Sequence, residues 1–146
     1  NEVEENCYLV EGDMVQIGGK KLHIKDMNGV ELAMLQQKLL SLRPKFFVFK
    51  NGNQVGEIVK KVGIKPKYVV EELGWEITGK FMAHDYTISD GSRDIVKIHK
   101  AWISIGSCYE LDVEDDVDET MAIAIVLAIE TVLASTETST EIAINT

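Results

Sequence analysis

The residues most capable of chemistry are three histidines, two cysteines and a dense run of acids, and their spacing favours no reaction. His23, His84 and His99 are far apart in the chain. His23 and His99 fall in strand-like stretches, and His84 precedes Asp85 at a turn. A metal centre needs three or four convergent ligands, so surface or half-buried histidines are expected. Cys7 and Cys108 match no zinc spacing and no CxxC pair. Two buried free thiols, packed as small hydrophobes, are expected, with a single disulfide as the alternative. Gly106-Ser107-Cys108 is not the GxSxG of a nucleophile elbow. Gly18-Gly19 lacks the Lys-Ser/Thr ending of a phosphate loop. The acids Glu110, Asp112, Glu114, Asp115 and Asp116 lack the DxDxDG order of a calcium loop. No catalytic residue, metal or cofactor is expected, and the chain is read as a non-enzyme.

Charge offers a better lead. The net charge is −9, yet all 15 Lys and Arg lie between Lys20 and Lys100. That segment is +6, while residues 1–19 are −5 and residues 101–146 are −10. The overall acidity argues against nucleic-acid binding. Four cations recur in a repeat: Arg43-Pro44-Lys45 and Lys65-Pro66-Lys67 close two related copies, residues 22–45 and 46–67. Each copy holds a strand, an Asn-Gly turn, a second strand and the Pro-Lys ending. Alternate turns of an antiparallel meander project from opposite ends. Arg43, Lys45, Lys65 and Lys67 would then form a basic rim opposite Asn28-Gly29 and Asn51-Gly52. Such a rim suits an anionic headgroup or phosphate. It also suits a solubilising edge, because Lys and Pro block edge-to-edge pairing.

The elements that must position this rim are short strands. KKLHIK (20–25), FFVFK (46–50), WEIT (75–78), DYTISD (85–90), DIVKIHK (94–100), WISI (102–105) and YELDV (109–113) alternate or are rich in β-formers. Asn-Gly and Asp-Gly dipeptides punctuate them. About eleven or twelve strands, and no helix, are expected before residue 114.

MAIAIVLAI (121–129) is then apolar on every side. Asp116 and Glu119 resemble a capping box before it, which predicts a helix over about 117–133. A helix apolar all round must be enclosed. The run is too short for a membrane span, which needs about 20 apolar residues, so the chain is not read as transmembrane. A sheet of eleven or so strands can enclose a helix, whereas eight leave room for side chains only. The predicted fold is mainly β: a closed antiparallel β-barrel of about 12 strands around a central hydrophobic C-terminal helix. One domain covers 1–134, with a Ser/Thr-rich tail at 135–146 read as a linker or late strand. Ile125, Leu127 and Ile129 should all be buried. Glu130, if enclosed, should meet a polar group of the wall; otherwise it sits exposed at the mouth.

The succession VEGD, IGGKKLHIKDMNGVELAMLQQKLLSLRPKFFVF and WEITGKFMAHDYTISDGSRDIVKIHKAW, followed by the Asp-rich cap and apolar helix, resembles the LOR family of the tubby C-terminal-like superfamily. The resemblance covers roughly residues 8–134 and rests on turn-and-strand patterns, not on a catalytic signature. It implies a twelve-stranded barrel around a hydrophobic helix, with a further strand pair before Tyr8. Related branches include phosphoinositide-binding tubby domains and phospholipid scramblases; no headgroup-binding residue is carried over from them. The sequence opens at Asn1 and shows no basic-then-apolar leader layout.

The functional expectation is a tubby-like binding module, with anionic phospholipid or another anionic ligand at Arg43, Lys45, Lys65 and Lys67. It would be cytoplasmic and peripheral to a membrane. The alternative is a structural or protein-interaction domain, with a protein partner and no small-molecule site.

Overall fold

The computed structural model describes residues 9–15, 19–38, 42–103 and 106–145, with side chains described for residues 20–38, 42–100 and 109–134. Ten strands form one antiparallel meander: β1 (Leu9–Val15), β2 (Gly19–Lys25), β3 (Glu31–Gln37), β4 (Lys45–Lys50), β5 (Asn53–Lys61), β6 (Lys67–Val70), β7 (Trp75–Lys80), β8 (Asp85–Ser89), β9 (Asp94–Ile103) and β10 (Gly106–Val113). Each strand pairs with the next in sequence. One helix, α1 (Glu119–Asn145), follows.

Local chemistry explains the turns. Asn51 and Gly52 both have positive φ, 51° and 77°, as a tight hairpin between twisted strands requires. At the β2–β3 turn the Asp26 carboxylate accepts the N–H groups of Asn28 and Val30 at 2.9 and 3.0 Å.

Alternation then sets the two faces. Leu22 and Ile24, Ala33 and Leu35, Phe46 and Val48, Tyr68 and Val70, and Tyr86 and Ile88 point inward at period two. They share one buried cluster with Met121, Ala124, Ile125, Ala128 and Ile129 of α1. Ile125 and Ile129 are fully buried, each gaining about 1.5–3 kcal/mol from burial. The helix therefore lies in the concave face of the sheet.

Three expectations are corrected. The closed barrel of about 12 strands is instead a ten-stranded sheet, and no pairing joins β1 to β10 among the described residues. Part of the difference is that stretch 94–100 and Trp102-Ile103, expected as two strands, lie in the single strand β9. Residues before Leu9, where the resemblance implied a further strand pair, lie outside the described residues.

The helix is also not sealed all round. Leu127 is only half-buried, with Thr120, Ile123 and Thr131. Their three- and four-residue spacing marks one stripe along α1, as fits a sheet that does not close over it.

Finally, the helix starts at Glu119, not 117, and runs through the tail to Asn145. Its cap is Asp118, whose Oδ1 accepts the N–H groups of Thr120 and Met121 at 3.1 and 3.2 Å. Asp116 instead holds Arg93 at 2.9 Å.

Candidate functional site

Strand register decides where the four predicted cations lie. Lys45 stands opposite Val59, and Lys61 opposite Lys67. The β3–β4 and β5–β6 connections thus leave the sheet at one end, and the Asn-Gly turns leave at the other. Arg43, Lys45, Lys65 and Lys67 share one rim, as turn parity predicted. The Lys60 N–H donates to the Pro44 carbonyl at 3.0 Å, and the Lys38 N–H to the Lys45 carbonyl at 2.9 Å. These bonds tie the β3–β4 loop to its neighbours.

The four cations are not equivalent. Lys45 Nζ lies 2.9 Å from Glu57, and Lys67 Nζ lies 3.0 Å from Glu76. Lys61 Nζ lies 3.5 Å from Glu71. An open groove of about 510 Å³ on this wall is lined by Lys61, Lys67, Glu71, Trp75 and Glu76. Both its lysines are matched by glutamates, so the groove itself offers no net positive charge. Arg43 and Lys65 are exposed in the loops and make no ion pair among the described residues. Of these four, they are the two open to an external anion.

A second polar group sits inside the same end. Glu130 reaches the wall: its carboxylate lies 2.7 and 2.8 Å from His84 Nδ1. The Tyr86 hydroxyl donates to Glu130 Oε1 at 3.2 Å. Glu130 is therefore enclosed and partnered, and the exposed-at-the-mouth alternative does not hold. Burial, and then the Glu130 charge, push the Tyr68 phenol up to about 12. The same two causes raise Tyr86 further, helped by its hydrogen bond to Glu130. The His84 ring stands edge-on to Tyr109, centroids 6.4 Å apart.

His84 has an unusual backbone. Two short 3-10 turns, Glu71–Leu73 and Phe81–Ala83, each end on a left-handed residue before the next strand. In the first that residue is Gly74, with φ 67°. In the second it is His84, with φ 54°, a region that few non-glycine residues enter, although Asn, Asp and His are enriched there. Its N–H donates to Phe81 O at 2.9 Å and its carbonyl accepts from Lys100 N–H at 3.1 Å. A histidine where a sister turn uses glycine is a local cost of order 1–3 kcal/mol, offset by what the ring holds. Reading residues 71–80 against 81–90 would have exposed this position.

The other sequence candidates stay apart. His23 pairs with Glu31 on the outer wall, and His99 is exposed on β9. Among the described residues, no three His, Cys, Asp or Glu side chains converge. The acids near the helix start work structurally: Asp118 holds Lys50 as well as the cap, and Asp116 holds Arg93. These contacts lie at the end opposite the basic rim. Cys7 and the Cys108 side chain lie outside the described residues.

The sequence profile of the LURP-one-related (LOR) family matches residues 1–130. The chain belongs to this family. The LOR match spans all ten strands and α1 as far as Glu130, so the rim and the His84–Glu130 contact both fall within the family domain. A relative from Bacillus subtilis (strain 168), the uncharacterised protein YxjI, is 37% identical over 127 residues, covering 85% of this chain and 78% of the relative. No solved structure matches the chain. Among the described residues, no helix is long and apolar enough to cross a membrane.

Proposed function

We propose that this LOR protein is a non-enzymatic binding module that recognises anionic lipid headgroups through the rim carrying Arg43 and Lys65, peripheral to a membrane. The supporting observation is the pairing pattern of that rim. Lys45, Lys61 and Lys67 are held by carboxylates, whereas Arg43 and Lys65 lie in the β3–β4 and β5–β6 loops with none among the described residues. Each cation at an anionic bilayer contributes about 1 kcal/mol, so these two supply about 2 kcal/mol, and Lys45 and Lys67 add less. Asp90, Asp115, Asp116 and Asp118 at the far end oppose this weakly, because charges beyond about 8 Å are screened at physiological salt, while Glu130 on the rim side is held by His84 and Tyr86. The predicted behaviour is weak, salt-sensitive attachment.

Co-sedimentation with vesicles tests it. The protein should pellet with phosphatidylserine-containing phosphatidylcholine vesicles at low salt, less at about 0.15 M salt, and not with phosphatidylcholine alone. No binding to the anionic vesicles at low salt would remove the lipid reading and leave a protein-interaction domain.

A further inference from the structure

The cationic rim also carries the most exposed large apolar side chains among the described residues. Leu42 and Ile64 have relative exposures of 105% and 104%, so each side chain stands clear of the fold. Each directly precedes an unpaired cation: Leu42-Arg43-Pro44-Lys45 and Ile64-Lys65-Pro66-Lys67. The only two prolines of the chain lie in these loops, where their fixed φ limits the freedom lost on docking. The loops are separated by two strand spacings, about 10 Å. Val62 and Met82, 71% and 66% exposed, lie at the same end.

Water gains nothing from two protruding aliphatic side chains, and single exposed residues need no explanation. Here the arrangement is duplicated: each loop sets a fully exposed aliphatic residue directly before a cation, Leu42-Arg43 and Ile64-Lys65, at the same end of the sheet. The opposite end makes a contrast. Its exposed apolar residues, Met27, Val30, Leu73 and Val55, are 62%, 57%, 41% and 37% exposed, among acids such as Asp26, Asp90, Asp115 and Asp116. A rim of separate tips beside cations matches a bilayer interface, where apolar groups enter the acyl boundary and cations meet headgroup phosphates.

We infer that Leu42 and Ile64 are membrane anchors that enter the interface of an anionic bilayer while Arg43 and Lys65 hold its headgroups. The inference rests on the lipid reading above and deepens it. Charge alone would bind a soluble anion equally well, whereas the two tips select a bilayer surface.

The test compares wild type with Leu42→Ser/Ile64→Ser on phosphatidylserine-containing vesicles, with vesicle-free sedimentation and soluble glycerophosphoserine as further arms. Both side chains are fully exposed, so the melting temperature of the variant should match wild type. Half-burying two such side chains corresponds to about 30-fold in affinity, and the variant should bind vesicles about that much more weakly. Ile64→Trp should bind more tightly than wild type and shift its emission to the blue on vesicles, since Trp favours the interface. Vesicle binding by wild type with equal binding by the serine variant would overturn the anchors and leave the electrostatic reading standing. Glycerophosphoserine binding as tight as vesicle binding would overturn the anchors in favour of a soluble-anion site. Wild-type self-association that the serine substitutions abolish, without vesicle binding, would assign the tips to a second copy. Absence of both vesicle binding and self-association would remove the lipid reading and the anchors together.

Discussion

Replacing Glu130 by Leu removes the acceptor that two wall residues share. Tyr86 is 1% exposed, and its hydroxyl donates to Glu130 at 3.2 Å. Without the carboxylate that O–H stays buried and unpaired, which costs about 1–3 kcal/mol. The His84 side chain is 16% exposed, so it regains water and adds at most about 1 kcal/mol. Glu130→Leu should therefore destabilise by about 2–3 kcal/mol. Tyr86→Phe alone deletes one donor but leaves Glu130 with His84, and should cost about 1 kcal/mol. In the double variant both partners of the Tyr86 bond are apolar, and only the partly exposed His84 ring lacks its carboxylate. Its cost should fall short of the sum by about 1–2 kcal/mol. Urea unfolding of the four proteins gives the coupling. Strict additivity, or a Glu130→Leu variant as stable as wild type, would show that the contact does not hold α1 to the wall.

Three further outcomes follow from packing and ionisation. Gly79 has φ 142°, and a Cβ there would sit 2.6 Å from the Tyr86 Cα, so Gly79→Ala should part β7 from β8 and lower the urea midpoint by more than the ~1 kcal/mol typical of a single change. Ile125→Ala should cost about 2–5 kcal/mol and half-buried Leu127→Ala clearly less; equal costs in thermal melts would contradict the partly exposed stripe. The Tyr68 phenol ionises near 10 when unfolded and at about 12 when folded, so its contribution is intact below pH 10 and lost as pH rises through 12. The loss approaches about 3 kcal/mol, and Tyr68→Phe should flatten the alkaline fall in urea midpoint relative to wild type.

The parts of this account that were legible in the sequence are those set by local rules. Period-two alternation, Asn-Gly turns and an unbroken apolar run needed only neighbouring residues, and they placed the strands, the rim and α1. Closure was not legible, because it depends on whether β1 meets β10, and on whether Ala101 interrupts β9, which it does not. Ion pairs were hidden for a similar reason. Lys45 finds Glu57 only once the β4–β5 register is set, and Glu130 finds His84 across 46 positions. The tail misled by composition: Ser and Thr read as linker, yet the helix already nucleated in the core propagates through them. The left-handed His84 carried a readable signal, the Gly74 of the sister turn, that motif searching passed over.

The most direct measurement of the central claim compares Lys65→Glu with Lys97→Glu for binding to anionic vesicles. Both change the net charge from −9 to −11, and both side chains are exposed. Lys97 lies mid-wall, opposite Thr87 and Asp112, while Lys65 lies on the rim. If the rim faces the membrane, Lys65→Glu should weaken binding by tenfold or more, from loss of about 1 kcal/mol of attraction and gain of a similar repulsion. Lys97→Glu should bind nearly as wild type. Equal loss in the two variants would mean that only net charge matters and that the rim is not the binding surface.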